Sequence, residues 1–105
     1  MLNKIKVILG MQPKADIGEL IRNGATIIDV RSKGEYAGGH VKGSINIPLD
    51  SIENNLHKIK DKEGPIITCC ASGMRSAAAK SILKKAGYPN IFNGGSWLSV
   101  KNKIG

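Results

Sequence analysis

The apolar positions of this chain alternate between two spacings. From Asp16 to Asn23, Ile17, Leu20 and Ile21 recur at intervals of three and four, which predicts a short helix with Asp16 as N-cap and Gly24 as its stop. Ala25-Thr26-Ile27-Ile28-Asp29-Val30 then forms a continuous β-branched run, the pattern of a strand buried in a parallel sheet. A short helix is expected over Ser32 to Ala37, broken by Gly38-Gly39, and a short strand over Ser44 to Ile47, stopped by Pro48. Leu49, Ile52, Leu56 and Ile59 return to helical spacing and predict a helix from Leu49 to Lys60. Gly64-Pro65 resets the chain before a strand over Ile66 to Cys69, and an alanine-rich helix is expected from Ser76 to Ala86. Ile91-Phe92-Asn93 opens a last strand, and Gly94-Gly95 leads into a turn or short helix around Trp97. Upstream of all this, Ile5 to Leu9 reads as a first strand or extended segment. Strands alternating with helices predict an α/β fold: a mostly parallel central sheet of about five strands, helices on both faces, one domain over residues 1–105.

Composition refines this picture in three places. With 41% apolar residues and only Tyr36, Tyr88, Phe92 and Trp97 aromatic, the core is expected to be aliphatic. The formal charge of +8 comes from scattered lysines, and arginine occurs only at Arg22, Arg31 and Arg75. No aromatic residues interleave with the basic ones, so the charge reads as a solvated surface and argues against a nucleic-acid partner. The run Val7-Ile8-Leu9 is shorter than a signal-peptide core or a membrane span, so a cytoplasmic protein without a membrane partner is expected. No heptad pattern is visible, and a monomer is the default expectation. His40 and His57 have no ligand-type neighbours at binding spacing, and no metal or organic cofactor is called for.

The candidate chemistry lies between Cys69 and Arg75. Adjacent cysteines make a strained disulfide, so Cys69 and Cys70 are expected as free thiols. Period-two alternation turns Cys69 into packing and Cys70 the other way, toward the junction with the following helix. In parallel sheets ligands bind beyond the carboxyl ends of the strands. A loop wrapped there can aim successive N–H groups at one point, backed by the positive end of the helix. A thiolate at that point has a depressed pKa and is a nucleophile at neutral pH. Ser72 adds a hydroxyl, Gly73 permits a backbone angle other residues resist, and Arg75 adds a fixed charge. The competing reading of Cys70, a small buried hydrophobe, is disfavoured by the glycine and arginine beside it. Asp29 and Arg31, just past a strand end, read as a polar brace with a minor share in substrate contact. Glu35 and His40 read as structural rather than acid–base groups, and Trp97 as core or pocket border.

Three segments together resemble the rhodanese-like domain family. Cys70-Ala71-Ser72-Gly73-Met74-Arg75-Ser76 is similar to its active-site loop. Asp29-Val30-Arg31, followed by the stretch from Glu35 through Gly38-Gly39-His40-Val41-Lys42-Gly43-Ser44 to Pro48, resembles its first signature. Asn90-Ile91-Phe92-Asn93-Gly94-Gly95-Ser96-Trp97 resembles its closing signature. Lys42 and Ser44 depart from the proline and alanine frequent there, and the resemblance spans roughly residues 14–100 in the family's order and spacing. It implies a rhodanese-like fold and a thiosulfate sulfurtransferase of the single-domain type. Cys70 would be the catalytic nucleophile, carrying a sulfane sulfur as a persulfide. Ala71, Ser72, Gly73, Met74 and Arg75 would bind the substrate, a small anionic sulfur donor such as thiosulfate or a related persulfide. The acceptor would be a protein thiol or a low-molecular-weight thiol. Phosphatases on the same fold keep one more residue between cysteine and arginine, whereas four separate Cys70 from Arg75. Two other roles stay open under this resemblance, a sulfur relay to a protein partner and a silent recognition module. Ala71, Ser72 and Met74 carry no positive charge, leaving Arg75 alone to meet a dianionic donor.

Overall fold

The structure, a computed structural model, describes residues 15–104. It opens with helix α1 (Ile17–Arg22), whose N-cap Asp16 accepts from the Glu19 N–H at 3.0 Å. Strand β1 (Thr26–Asp29) leads through helix α2 (Lys33–Ala37) to strand β2 (Ile45–Asn46). A run of 3-10 turns (Leu49–Lys58) precedes strand β3 (Ile66–Cys70). Helix α3 (Met74–Lys85), strand β4 (Ile91–Ser96) and helix α4 (Trp97–Ile104) complete the fold.

All pairings in the sheet are parallel, in the order β2-β1-β3-β4. Four strands are therefore present among the described residues; the expected strand Ile5 to Leu9 lies outside them. From β1 the chain first crosses to one side to make β2, then to the other side to make β3. The crevice beyond the carboxyl ends of β1 and β3 is thus the topological switch point, where parallel sheets bind ligands.

The sheet is buried on both faces, and strand alternation divides its side chains between two aliphatic clusters. Ile28, Val30, Ile66 and Cys70 face Ile52, Ile59, Ala79 and Leu83 from the 3-10 segment and α3. Ile27, Ile67 and Cys69 face Ile17 and Val100 from α1 and α4. Each fully buried isoleucine contributes roughly 1.5–3 kcal/mol through area removed from water. Helix α3 buries a narrow stripe, Ser76, Ala79 and Leu83, and exposes Lys84 and Lys85.

Four elements show the clearest differences from their expected bounds. The segment after Pro48 is not an α-helix: it has no side-chain cap and breaks at Asn55 (φ −127°, ψ 21°). The Asn55 side chain donates to the Ser51 carbonyl at 2.8 Å, a local bond that competes with the regular ladder. Strand β3 includes Cys70, and α3 starts at Met74 rather than Ser76. Gly73, at φ 101°, turns the chain straight from loop into helix without a side-chain cap. Strand β4 continues through the two glycines expected to end it. A Cβ on Gly94 would lie 2.8 Å from both Ile67 Cγ2 and Val100 Cγ2, so only glycine lets β4 run this close to β3. The extra residue appears as a register shift, with Thr68 opposite Asn93 but Cys70 opposite Ser96.

Candidate active site

Cys70 ends β3 at the switch point, and its side chain turns under the first turn of α3. Its Sγ accepts from the Gly73 N–H at 2.9 Å and the Ser76 N–H at 3.3 Å. The thiol lies 3.6 Å from Ser76 Oγ, its acceptor when protonated. Burial pushes the Cys70 thiol up, but the Ser76 hydroxyl and the N–H groups of Ser76, Gly73 and Ser72 together outweigh it. The net result is an acidity stronger than that of an ordinary thiol. Cys70 is buried, while Ala71 and Ser72, which follow it in the loop, are exposed.

The cradle is itself held from below. Ser76 Oγ donates to Asn93 Oδ1 at 2.6 Å and lies 3.0 Å from the Gly73 carbonyl. Asn93 Oδ1 also accepts from the Gly95 N–H at 2.9 Å, closing an Asx turn at the β4 irregularity. Thr68 Oγ1 donates to the Ser76 carbonyl at 2.9 Å. Adjacent strands and the helix start thus fix the two N–H groups that point at the sulfur. Neither Ser76 nor Asn93 stood among the expected site residues. Ser76 carried a signal, a hydroxyl in the first helical turn one residue past Arg75. The Asn93-Gly94-Gly95 sequence carried another, an asparagine placed for an Asx turn.

The remaining loop residues fall in different places. Ala71 and Ser72 are exposed on the rim, and Met74 is 80% exposed at the start of α3. Arg75 is turned onto Glu35: Nη1 meets Oε1 at 2.7 Å and Nη2 meets Oε2 at 3.0 Å. Glu35 is also the N3 residue of a capping box, its Oε1 accepting from the Ser32 N–H and hydroxyl at 3.0 Å each. The Arg75 guanidinium and the Ser32 N–H hold the Glu35 carboxyl down to about 2. A cleft of about 340 Å³ opens beside this pair, lined by Val30, Ser32, Pro48, Leu49, Asp50 and Arg75.

Asp29 and Arg31 form a separate buried unit. Their ion pair is 2.7 Å long, with Asp29 fully buried and Arg31 4% exposed. The Asp29 carboxylate raises the Arg31 pKa through this bond. Arg31 also donates to the Gly39 carbonyl at 2.7 Å and the Glu35 carbonyl at 3.3 Å, and stacks on Trp97 at 4.6 Å. It ties the middle of α2 and the loop that follows it to the sheet rather than joining the sulfur cradle. Trp97 packs against Arg31 and close to Gly39, away from the cleft lining. His40 stacks on Tyr36 with centroids 3.7 Å apart. Cys69 sits on the opposite sheet face from Cys70, in the cluster with Ile67 and Val100; burial pushes its thiol up to about 12. Among the described residues no cluster of groups suited to hold a metal occurs, and no helix is long and apolar enough to cross a membrane.

Comparison with known proteins agrees with this geometry. The model of the rhodanese-like domain matches residues 14–102. The thiosulfate sulfurtransferase PspE of Escherichia coli is 38% identical over 69 residues, covering 65% of this chain and 66% of that protein. A rhodanese domain-containing protein of Drosophila melanogaster is 39% identical over 93 residues, covering 75% of this chain and 84% of that protein. Among solved structures, an E. coli rhodanese with anions superposes with a TM-score of 0.68 at 34% identity, covering 72% of this chain and 91% of that one. The chain spans 54–66% of the length of several curated relatives it matches. With the fold, the loop and the family match in agreement, this chain belongs to the rhodanese-like domain family.

Proposed function

We propose that this protein is a sulfurtransferase that carries a sulfane sulfur on Cys70. The observation that carries the reading is the cradle itself: two N–H groups at 2.9 and 3.3 Å from one sulfur, at the switch point of a parallel sheet. Such donors stabilise a thiolate before reaction and an anionic persulfide after it. With thiosulfate as donor, the Cys70 thiolate attacks the outer sulfur. The new S–S bond forms as the old one breaks, and sulfite leaves with the bonding pair. A thiophilic acceptor, cyanide or a thiolate, then takes the outer sulfur and returns Cys70 to the thiolate. Neither step needs an oxidant or a general base. The name of PspE, a thiosulfate sulfurtransferase, supports this reading.

The four-residue spacing from Cys70 to Arg75 supports sulfur rather than phosphate as the held group. A protein as the acceptor is favoured by one feature, the exposed rim of Ala71, Ser72 and Met74 over the buried sulfur. The test is the intact mass of the protein before and after thiosulfate or a low-molecular-weight persulfide, with Cys70→Ser alongside. The expected result is a gain of one sulfur atom on the wild type only, reversed by cyanide. A gain that persists in Cys70→Ser, or none with either donor, would overturn the proposal.

A further inference from the structure

Beyond the loop that cradles the sulfur, the mouth of the site has an unusual charge balance. Arg75 is the one cation among the loop residues 71–75 and, among the described residues, the one cation lining the adjacent cleft. A dianionic donor would need it, yet both of its terminal nitrogens are already engaged by the two oxygens of Glu35. A forked arginine–carboxylate pair of this kind occupies the two donors that a dianion would otherwise use. Ser32 holds the same Glu35 carboxylate from the other side as part of the α2 capping box, in a pair whose two side chains are each 38% exposed. Asp50 adds a second carboxylate to the cleft wall and forms no salt bridge among the described residues. The mouth therefore sets one cation against two carboxylates.

Apart from Ser32, the rest of the cleft wall is carbon. Val30, Pro48 and Leu49 line it, and Val30 belongs to the same cluster on the same sheet face as Cys70. Such a wall has nothing to offer a sulfonate but receives an alkyl chain well.

We infer that Glu35 is a specificity-determining residue, turning the Cys70 site toward organic persulfides and away from thiosulfate. The inference rests on the Cys70 persulfide reading and names the donor class for it. The Cys70 thiolate bonds to the outer sulfur of R–S–SH, the donor's S–S bond breaks, and the thiolate RS⁻ leaves with the electron pair. The outer sulfur keeps its proton, R lies along Val30, Pro48 and Leu49, and only one unit of negative charge departs past Glu35 and Asp50.

The experiment compares Cys70 loading, followed by intact mass, from thiosulfate and from 2-hydroxyethyl persulfide. It uses the wild type, Glu35→Gln and Asp50→Asn. Glutamine keeps a carbonyl acceptor for Ser32, so the capping box survives while the charge goes. Freeing Arg75 to contact a dianion corresponds to about a tenfold gain, the value of one charge-assisted hydrogen bond at the low end. Expected is a rise of about that size in kcat/KM for thiosulfate with Glu35→Gln, carried by a lower KM and steeper in its salt dependence. The value for hydroxyethyl persulfide should stay within about twofold, and Asp50→Asn should move the donor ratio the same way by a smaller factor. Misfolding of either variant would lower both donors together, so the ratio is the readout. An unchanged ratio in both variants overturns the inference and leaves the Cys70 reading standing. Failure of both donors to load the wild type overturns the Cys70 reading, and the inference with it.

Discussion

Asn93 and Cys70 compete for the one hydroxyl proton of Ser76, so substitutions at Ser76 and Asn93 should affect the acidity of Cys70 differently. The Ser76 hydroxyl has a single hydrogen and three neighbours: Asn93 Oδ1 at 2.6 Å, the Gly73 carbonyl at 3.0 Å and Cys70 Sγ at 3.6 Å. Ser76→Ala removes the hydroxyl but keeps the N–H that points at the sulfur. A hydrogen bond to a charged group is worth about 1.5–3 kcal/mol, and the long sulfur distance places this one at or below the low end. At 1.36 kcal/mol per pH unit, the Cys70 pKa should rise by about one unit. Asn93→Ala removes the strongest competitor and frees the hydroxyl to turn toward the sulfur, so the pKa should stay level or fall. The assay is the pH dependence of alkylation by iodoacetamide, with folding of both variants checked by near-ultraviolet circular dichroism. Because burial opposes ionisation and the hydrogen bonds win, the wild-type inflection should lie below the ordinary thiol value. A pKa unmoved by Ser76→Ala, or raised equally by both substitutions, would refute the assignment of the hydroxyl to the thiolate.

Three further outcomes follow from the same geometry. In the native protein a small alkylating agent should modify Cys70 alone near neutral pH, with Cys69, held up at about 12 by burial, reacting only after denaturation; peptide mass mapping distinguishes them. The same experiment with a bulky maleimide should be slower, since Cys70 is buried. Arg31→Met leaves the fully buried Asp29 carboxylate without its partner and should cost about 3–5 kcal/mol in urea unfolding. Pairing it with Asp29→Asn should cost less than the sum of the two single changes. Gly94→Ala pushes a Cβ to within 3.0 Å of the Thr68 carbonyl as well as two side-chain methyls, and should destabilise by about 1–3 kcal/mol, read by thermal melting.

The parts of this fold that were legible in sequence are those encoded over short stretches. Asp16, Gly24 and the apolar spacing of Ile17, Leu20 and Ile21 mark α1 locally, and the structure places the helix between them. The β-branched run before Asp29 and the glycine after α3 are equally local signals. Where a boundary depends on a distant partner, the pattern misleads. The pair Gly94-Gly95 reads as a chain break, yet its role is set by Ile67, Thr68 and Val100, which leave no room for a side chain. The apolar spacing from Leu49 to Ile59 is real, and Ile52 is buried. What it could not convey is that the segment forms 3-10 turns, with a break at Asn55, whose side chain bonds the Ser51 carbonyl. At the site, the loop from Cys70 to Arg75 is one contiguous motif. The partner of Arg75, forty positions away at Glu35, and the partner of Ser76, seventeen away at Asn93, come from other elements. No periodicity or spacing announces either contact.

The two cysteines show how much chemistry strand parity alone can separate. They are neighbours in sequence, equally hidden from solvent, and both free. Period two sends Cys69 into a cluster of isoleucine and valine, where its ionised form would have no N–H to meet it and Asp29 adds repulsion. The same period sends Cys70 under a helix start, where the orphan N–H groups of the first turn need an acceptor and find the sulfur. Burial opposes ionisation at both; the Ser76 hydroxyl and the backbone donors decide the outcome at only one. Moving the cysteine by one residue, Cys70→Ala in one variant and Cys69→Ala in the other, therefore separates position from residue type. Cys69→Ala should keep an acidic, alkylatable thiol, whereas Cys70→Ala should leave a thiol inert in the native state. Equal reactivity of the two single-cysteine proteins would mean that the cradle contributes nothing to the acidity of Cys70.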